Sequence, residues 1–184
     1  MRQTLESTFF VTPEQKLFRF LLNECTTTFT PRVLSSKLKG VRGLGGAEGI
    51  KKILEKLAEI GIIQWVDNNR AICLRNEHVS VRVMKGFNAV CDLEGLQQML
   101  EPLSSKGIVF GSRTTGLSRS DSNYDLLVVT NDGDQVRRTV ESHPLGKKIE
   151  VTVMSSDEFL HLDRDKPQLA KDVAKGIIIW GSVF

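Results

Sequence analysis

Residues 107–129 hold the part of the sequence best suited to chemistry. An apolar run ends in Gly111 and Ser112, and after ten further residues Asn123 and Asp125 stand before a second apolar run. Glycine at a predicted strand-to-helix turn lets the backbone approach a phosphate closely, and a neighbouring hydroxyl can donate a hydrogen bond. Residues 123 and 125 are two apart on a predicted strand, so their side chains point to one face. The spacing predicts an anion-binding turn beside two oxygen ligands.

This segment, GIVFGSRTTGLSRSDSNYDLLVV, resembles the minimal nucleotidyltransferase domains of the DNA polymerase β-like superfamily. In that family, Gly-Ser is followed by a spacer and then by Asp-x-Asp at the start of an apolar strand. The resemblance covers residues 90–184 and implies a small α/β fold with a mixed sheet. It also implies that Gly111, Ser112 and Arg113 bind the phosphates of an NTP and that carboxylates hold Mg²⁺.

The predicted metal site departs from the family pattern at its first position. This chain has Asn123 in place of the first Asp, and the amide lacks the negative charge that divalent cations require. Asp125 matches the second acid, and Glu150 is the candidate third acid from a neighbouring strand. Asp121 shares the strand parity of Asp125 but has a different spacing, so its use as a substitute is an open alternative. We expect weakened or lost catalysis at Asn123, Asp125 and Glu150.

Predicted helices and strands position these residues. Asp92 is expected to cap a helix that ends near Leu103, and we place a domain boundary in residues 76–89. The other predicted elements are strands at residues 107–110, 124–129 and 148–153 and helices near residues 133–142 and 168–175.

The front of the chain predicts three helices followed by a β-hairpin. Thr12 and Gln15 have the spacing of a capping box before the first helix. Apolar residues between positions 50 and 60 recur at helical spacing and predict the third helix. Strand-forming runs at residues 62–66 and 70–74, with a three-residue loop between them, predict the hairpin.

This order of elements, with the sequence IKKILEKLAEIGIIQWVDNNRAICL, resembles the winged helix-turn-helix domain of transcription regulators, and we assign residues 1–78 to it. The resemblance implies that the third helix enters the major groove of double-stranded DNA. Lys51, Lys52 and Lys56 would then contact phosphates, with Arg70 at the hairpin turn. Acidic residues share the helix, so a purely protein-binding domain is an open alternative.

Composition limits the class of protein. A chain of 184 residues with 40% hydrophobic and 26% charged residues is typical of a folded protein and argues against disorder. Its longest apolar runs are strand-length, so we expect no membrane span. Three cysteines without paired spacing indicate reduced thiols in a cytoplasmic protein. The front half is the more basic, which favours two units with different partners.

These expectations describe an α+β protein in which a winged helix-turn-helix precedes a nucleotidyltransferase-like domain. The favoured function is an antitoxin-like, DNA-binding transcriptional regulator whose second domain binds a nucleotide or a protein partner. One alternative is an active Mg²⁺-dependent enzyme that moves a nucleoside monophosphate from an NTP to a hydroxyl of a protein, RNA or small molecule. Another is a structural scaffold that binds neither. A homodimer fits the regulator, because two half-sites multiply affinity.

Overall fold

The computed structural model describes residues 3–182, and this part of the chain holds nine α-helices and six β-strands. The chain divides into two compact units, residues 1–88 and residues 89–184. The predicted mixed α+β composition with a mixed sheet is confirmed. Among the described residues no helix is long and apolar enough to cross a membrane.

Side-chain caps begin the early helices of the first unit. Its elements are α1 (Leu5–Phe9), α2 (Pro13–Asn23), α3 (Pro31–Lys37), α4 (Gly46–Glu59), β1 (Ile63–Val66) and β2 (Ala71–Leu74). The predicted capping box is confirmed, because Thr12 Oγ1 accepts from the Gln15 N–H at 3.2 Å and Gln15 Oε1 accepts from the Thr12 N–H at 2.9 Å. Helix α1 lies outside the predicted elements and begins with its own capping box at Thr4.

The hairpin loop is one residue longer than predicted. Val66 and Ala71 are the last paired residues of β1 and β2, so the loop contains residues 67–70. Asp67, Asn68 and Asn69 all have positive φ, a conformation that Asp and Asn tolerate better than most residues. The short polar side chains therefore explain how the chain reverses here without a glycine.

Apolar faces of α2, α3, α4 and the hairpin meet in one core. Leu17, Leu34, Ile50, Leu54 and Ile72 are fully buried within it. The burial of Ile50, Ile53 and Leu54 follows the helical spacing of α4 and leaves its polar side chains at the surface.

Helix α5 (Val79–Leu100) begins before the helix start predicted at Asp92, and the division between the units after residue 88 falls within the predicted range 76–89. Residues 79–88 of this helix belong to the first unit and residues 89–100 to the second. Asp92 therefore lies inside a helix rather than at its start, and most of the predicted linker at residues 76–89 is helical. Aspartate favours helix N-caps, but here the helix begins 13 residues earlier, at Val79.

The second unit is built around a four-stranded sheet. Its elements after α5 are a 3₁₀ turn (Glu101–Leu103), β3 (Lys106–Phe110), β4 (Tyr124–Val129), α6 (Gly133–Ser142), a 3₁₀ turn (Gly146–Lys148), β5 (Ile149–Met154), α7 (Ser156–Leu160), α8 (Leu162–Asp165), α9 (Pro167–Val173) and β6 (Ile177–Trp180). The three strands predicted at residues 107–153 are present, whereas α7 and α8 lie outside the predicted elements.

The strand order is β5-β4-β3-β6, with β4 and β5 parallel and the other neighbours antiparallel. Helix α6 makes the crossover that parallel neighbours require. Alternation along β4 sends Leu126 and Val128 into one apolar cluster and Leu127 and Val129 into another, so both faces of the sheet are covered. Asp125 shares the parity of Leu127, which places it on the face packed against α8 and α9.

Candidate functional site

The chain turns sharply where β3 ends, and Gly111 makes that turn possible. Gly111 has φ +74, and a Cβ there would clash with Oδ2 of Asp125. Phe110 and Asp125 are paired across β3 and β4, which brings the glycine beside the carboxylate. A side chain at position 111 would therefore be strained in its backbone and would displace the acid.

Asp125 and Glu150 are brought together as the sequence predicts. They are directly paired residues on the parallel strands β4 and β5, so their side chains leave the same face of the sheet. Asp125 is half-buried, whereas Glu150 is exposed at the sheet edge. Two carboxylates therefore stand side by side, one sheltered and one open to solvent.

Asn123 joins this pair through its amide. Its Nδ2 group donates a hydrogen bond to Oε1 of Glu150. An aspartate at this position would place a third negative charge beside the other two, whereas the amide supplies a donor. The three predicted residues Asn123, Asp125 and Glu150 thus lie together, and the amide stabilises one carboxylate that an acid would repel.

The surroundings of Asp125 disfavour its ionised form. Burial is the main cause that raises the pKa of Asp125, and the charges of Glu150 and Asp172 raise it further. The guanidinium of Arg113 acts in the opposite direction and lowers the pKa of the same carboxyl. The net shift in the pKa of Asp125 is upward, as expected for a carboxylate that is partly removed from water.

The predicted strand-to-helix turn after β3 is corrected, because residues 111–116 form hydrogen-bonded turns rather than an α-helix. The Thr115 N–H donates to the Gly111 carbonyl at 3.3 Å, and the Leu117 N–H donates to the Ser112 carbonyl at 2.9 Å. Ser112 is partly exposed. A phosphate contact at Gly111 and Ser112 stays a prediction, without the helix dipole that a helix N-terminus would add.

Arg113, which the resemblance implies as a phosphate contact, donates hydrogen bonds to carbonyls of its own loop. Its side chain is buried, with 9% exposed. Its Nε donates to the carbonyls of Ser122 and Asn123 at 3.1 and 3.2 Å, and its Nη2 also donates to Ser122. The guanidinium lies 3.9 Å from the centre of the Tyr124 ring. Arg113 therefore binds the far end of its own loop.

Tyr124 and Asp92 complete this network on the opposite face of β4. The buried Tyr124 points away from Asp125, and its hydroxyl donates to Asp92 Oδ2 at 2.7 Å. Neither residue was predicted as part of the site. Strand alternation alone could have indicated that Tyr124 points inward, whereas nothing in the local sequence indicates its contact with Asp92, 32 positions away.

The donor set fits one Mg²⁺ ion better than two. Residues 3–182 contain no group of three or more His, Cys, Asp or Glu side chains arranged to hold a metal. Mg²⁺ is commonly bound through one or two carboxylates together with water and substrate phosphates, which Asp125 and Glu150 match. Asp121, the alternative acid, is exposed and lies 4.0 Å from Arg119. The remaining donor is the amide oxygen of Asn123.

The candidate DNA-contacting cations of the first unit lie on an exposed polar surface. Lys51, Lys52 and Lys56 are exposed on α4, and Arg70 is exposed in the hairpin loop. Helical spacing puts Lys52 and Lys56 one turn apart, while Lys51 lines a groove of about 300 Å³ with three other residues, Glu55, Trp65 and Asn69. The acidic residues Glu48, Glu55 and Glu59 are also exposed on α4. The surface is therefore mixed in charge.

A scan of the chain against protein-family models finds no match, and a search of curated protein sequences finds none either.

Proposed function

We propose that the protein is a DNA-binding regulator with a winged helix-turn-helix unit and a nucleotidyltransferase-like unit of weakened activity. The first unit binds duplex DNA through α4 and the hairpin loop. The second unit holds the phosphates of an NTP beside one Mg²⁺ and transfers a nucleotidyl group slowly or not at all. The observation that carries the weakened activity in this proposal is the hydrogen bond from Asn123 to Glu150.

The order of elements supports DNA binding by the first unit. Helices α3 and α4 follow one another through a glycine-containing turn, and a hairpin follows α4, as in a winged helix. Residues 1–88 contain 14 Lys and Arg against 8 Asp and Glu, which favours a polyanionic partner. Lys52, Lys56 and Arg70 are exposed where that architecture presents its binding face.

The arrangement of β3, β4 and β5 supports nucleotide binding by the second unit. Gly111 follows a strand end, and the two acids start the adjacent parallel strands β4 and β5, in the pattern of the nucleotidyltransferase family. Asp125 and Glu150 would hold Mg²⁺, which when bound supplies positive charge that stabilises transferring phosphoryl groups. Gly111 and Ser112 would orient the phosphates through the backbone and a hydroxyl.

The residue at position 123 explains why transfer is weak. Where the family has an acid, Asn123 donates its N–H to Glu150 and so occupies one oxygen of a remaining ligand. The site then has two carboxylates rather than three, and its capacity to hold two cations falls. Fewer negative charges are needed to bind one cation together with a nucleotide than to hold the two cations that catalysis would use. Nucleotide binding should therefore be affected less than catalysis by the amide at position 123.

A second candidate function is an active nucleotidyltransferase that uses the first unit for targeting. The direct pairing of Asp125 with Glu150 favours this alternative, because two carboxylates in register can already hold one catalytic cation. The two functions differ in whether Asp125 supports turnover or only binding.

Two binding measurements test the favoured function on the full chain. Fluorescence anisotropy with a random-sequence duplex should detect binding that weakens steeply as KCl rises. Equilibrium dialysis with each labelled NTP should detect binding that needs Mg²⁺ and is lost in Asp125→Ala. Absence of both would leave the scaffold hypothesis, while salt-sensitive DNA binding without nucleotide binding would refute only the second half of the proposal.

A further inference from the structure

Arg113 is a buried cation whose contacts close a loop of the second unit. The loop runs from Gly111 to Asn123, and Arg113 near its start donates to two carbonyl oxygens near its end, those of Ser122 and Asn123. A buried guanidinium is costly unless its donors are used, and hydrogen bonds to a charged donor contribute more than neutral ones. The contact therefore joins both ends of the loop at the strand that carries the acids.

The same guanidinium is stacked on a ring that is itself anchored. The Tyr124 ring lies under Arg113 at 3.9 Å, and its hydroxyl is held by Asp92 of α5 at 2.7 Å. Cation–π contacts strengthen when they are desolvated, as this one is. The loop is thus connected through Arg113 and Tyr124 to the part of α5 that belongs to the same unit.

This network touches the site from the far side of β4. Tyr124 lies between Asn123 and Asp125 in sequence, and alternation along a strand sends its side chain to the opposite face. Arg113, stacked on Tyr124, contacts the backbone carbonyl of Asn123 rather than the amide that meets Glu150. Its geometry is that of a group that acts through neighbouring residues.

We propose that Arg113 is a positioning residue, which closes the 111–123 loop and fixes Asn123 and Asp125 for ligand binding without contacting the ligand. The second part of this inference rests on the proposed nucleotide site. Loop closure is a property of the protein alone and is tested without any ligand.

Hydrogen exchange of the full chain tests loop closure with Arg113→Gln, Arg113→Lys and Arg119→Gln. Arg119 is in the same loop but exposed, so Arg119→Gln is a matched control. We expect amides in residues 111–125 to exchange about tenfold faster in Arg113→Gln, as expected when hydrogen bonds to a charged group are lost. Arg113→Lys keeps the charge but lacks the planar set of guanidinium donors, so its exchange rates should lie between those of the wild type and Arg113→Gln. Arg119→Gln should exchange at wild-type rates.

Binding of Mn²⁺, followed by electron paramagnetic resonance, tests the effect on the site. We expect about tenfold weaker binding in Arg113→Gln, partial rescue in Arg113→Lys and no change in Arg119→Gln. Unchanged exchange in residues 111–125 of both Arg113 variants would overturn the proposal, as would unchanged Mn²⁺ affinity with faster exchange. If Arg113→Gln does not fold, Arg113→Lys is compared with Arg119→Gln instead. Faster loop exchange and weaker Mn²⁺ binding in Arg113→Lys would support the proposal, and equal values in the two variants would overturn it.

The two proposals fail in distinguishable ways. If the wild type binds no Mn²⁺ and no nucleotide, the proposed nucleotide site is wrong, and the exchange measurement alone decides whether Arg113 closes the loop. If Arg113→Gln weakens MgATP binding while loop exchange and Mn²⁺ affinity stay at wild-type values, Arg113 contacts phosphate directly and the positioning role is refuted.

Discussion

The two units of this protein place their charged residues in opposite ways. Residues 1–88 have 14 Lys and Arg against 8 Asp and Glu, and the candidate DNA contacts Lys51, Lys52, Lys56 and Arg70 are all exposed. Residues 89–184 have 11 basic against 14 acidic residues. In the second unit, the buried Arg113 and Tyr124 contact each other next to the candidate site.

This contrast indicates how each unit should respond to substitution. Exposed cations act through long-range, salt-screened attraction, so each contributes a modest and nearly independent amount. Residues that share hydrogen bonds and one desolvated surface depend on one another, so their contributions do not add.

The largest effect is expected from reversing the charge of α4. The triple variant Lys51→Glu, Lys52→Glu and Lys56→Glu should weaken binding to a random-sequence duplex about 100-fold or more at low salt, because three phosphate contacts become repulsive. The control reverses three exposed cations of the second unit, Arg137, Arg138 and Lys147, and should stay within about threefold of the wild type. Equal losses in both variants, measured by anisotropy, would mean that net charge rather than α4 determines binding.

A smaller effect is expected from restoring the acid at position 123. Asn123→Asp adds a negative charge beside Asp125 and Glu150, so Mn²⁺ should bind about tenfold more tightly. Without metal, the same variant should be less stable than the wild type by about 0.5 kcal/mol, since it replaces a hydrogen-bond donor with a like charge. Titration calorimetry and urea unfolding in EDTA measure the two quantities. A variant with unchanged metal affinity would contradict the assigned site.

A stability change of similar or smaller size is expected for Asp125→Asn in the absence of metal. The folded state raises the pKa of Asp125 above its usual 3.8, chiefly through burial, so its ionisation opposes folding once the pH exceeds that value. Removing the charge should raise the melting temperature at pH 7 by about 2 °C, after allowance for solvent screening. The gain should shrink as the pH falls toward 3.8, because the wild-type carboxyl then binds a proton. If Asp125→Asn is less stable than the wild type at pH 7 in EDTA, the surroundings of Asp125 do not disfavour its ionised form, and the prediction is wrong.

The smallest effects test additivity itself. Lys52→Gln and Lys56→Gln should each weaken DNA binding a few-fold, and the double variant should weaken it by the product of the two factors. In the second unit, adding Tyr124→Phe to Arg113→Gln should make hydrogen exchange in the loop only slightly faster than in Arg113→Gln alone. The reason is that both residues belong to one network. If the effects of Arg113→Gln and Tyr124→Phe on hydrogen exchange are additive, the two residues act independently. The second unit would then not differ from the first in this respect.

Local patterns in the sequence predicted much of the fold. The capping box at Thr12, the apolar face of α4 and the strand containing Asp125 depend on neighbouring residues and were found from spacing alone. The pattern places the start of α5 at Asp92 because aspartate favours helix caps, whereas the helix begins at Val79 and the carboxylate of Asp92 accepts from a tyrosine hydroxyl 32 positions away.

The candidate site could be predicted only in part, because some of its contacts join residues that are distant in sequence. Strand parity placed Asn123 and Asp125 on one face, and the neighbouring strand brought Glu150 to them. The amide contact with Glu150 and the contacts of Arg113 with loop carbonyls depend on the folded course of residues 111–123. No periodicity encodes that course, so neither the burial of Arg113 nor its contacts with the loop carbonyls could be predicted from the sequence.

The most direct measurement of the central claim is Mg²⁺-dependent label transfer from each NTP by the wild type, Asn123→Asp and Asp125→Ala. The proposed weakening by Asn123 predicts that the wild type transfers little more than Asp125→Ala, and that Asn123→Asp raises transfer above both. Label should be followed to the protein itself and to added RNA and small-molecule hydroxyls. Rapid transfer by the wild type that Asp125→Ala abolishes would contradict the claim and assign the protein as an active nucleotidyltransferase.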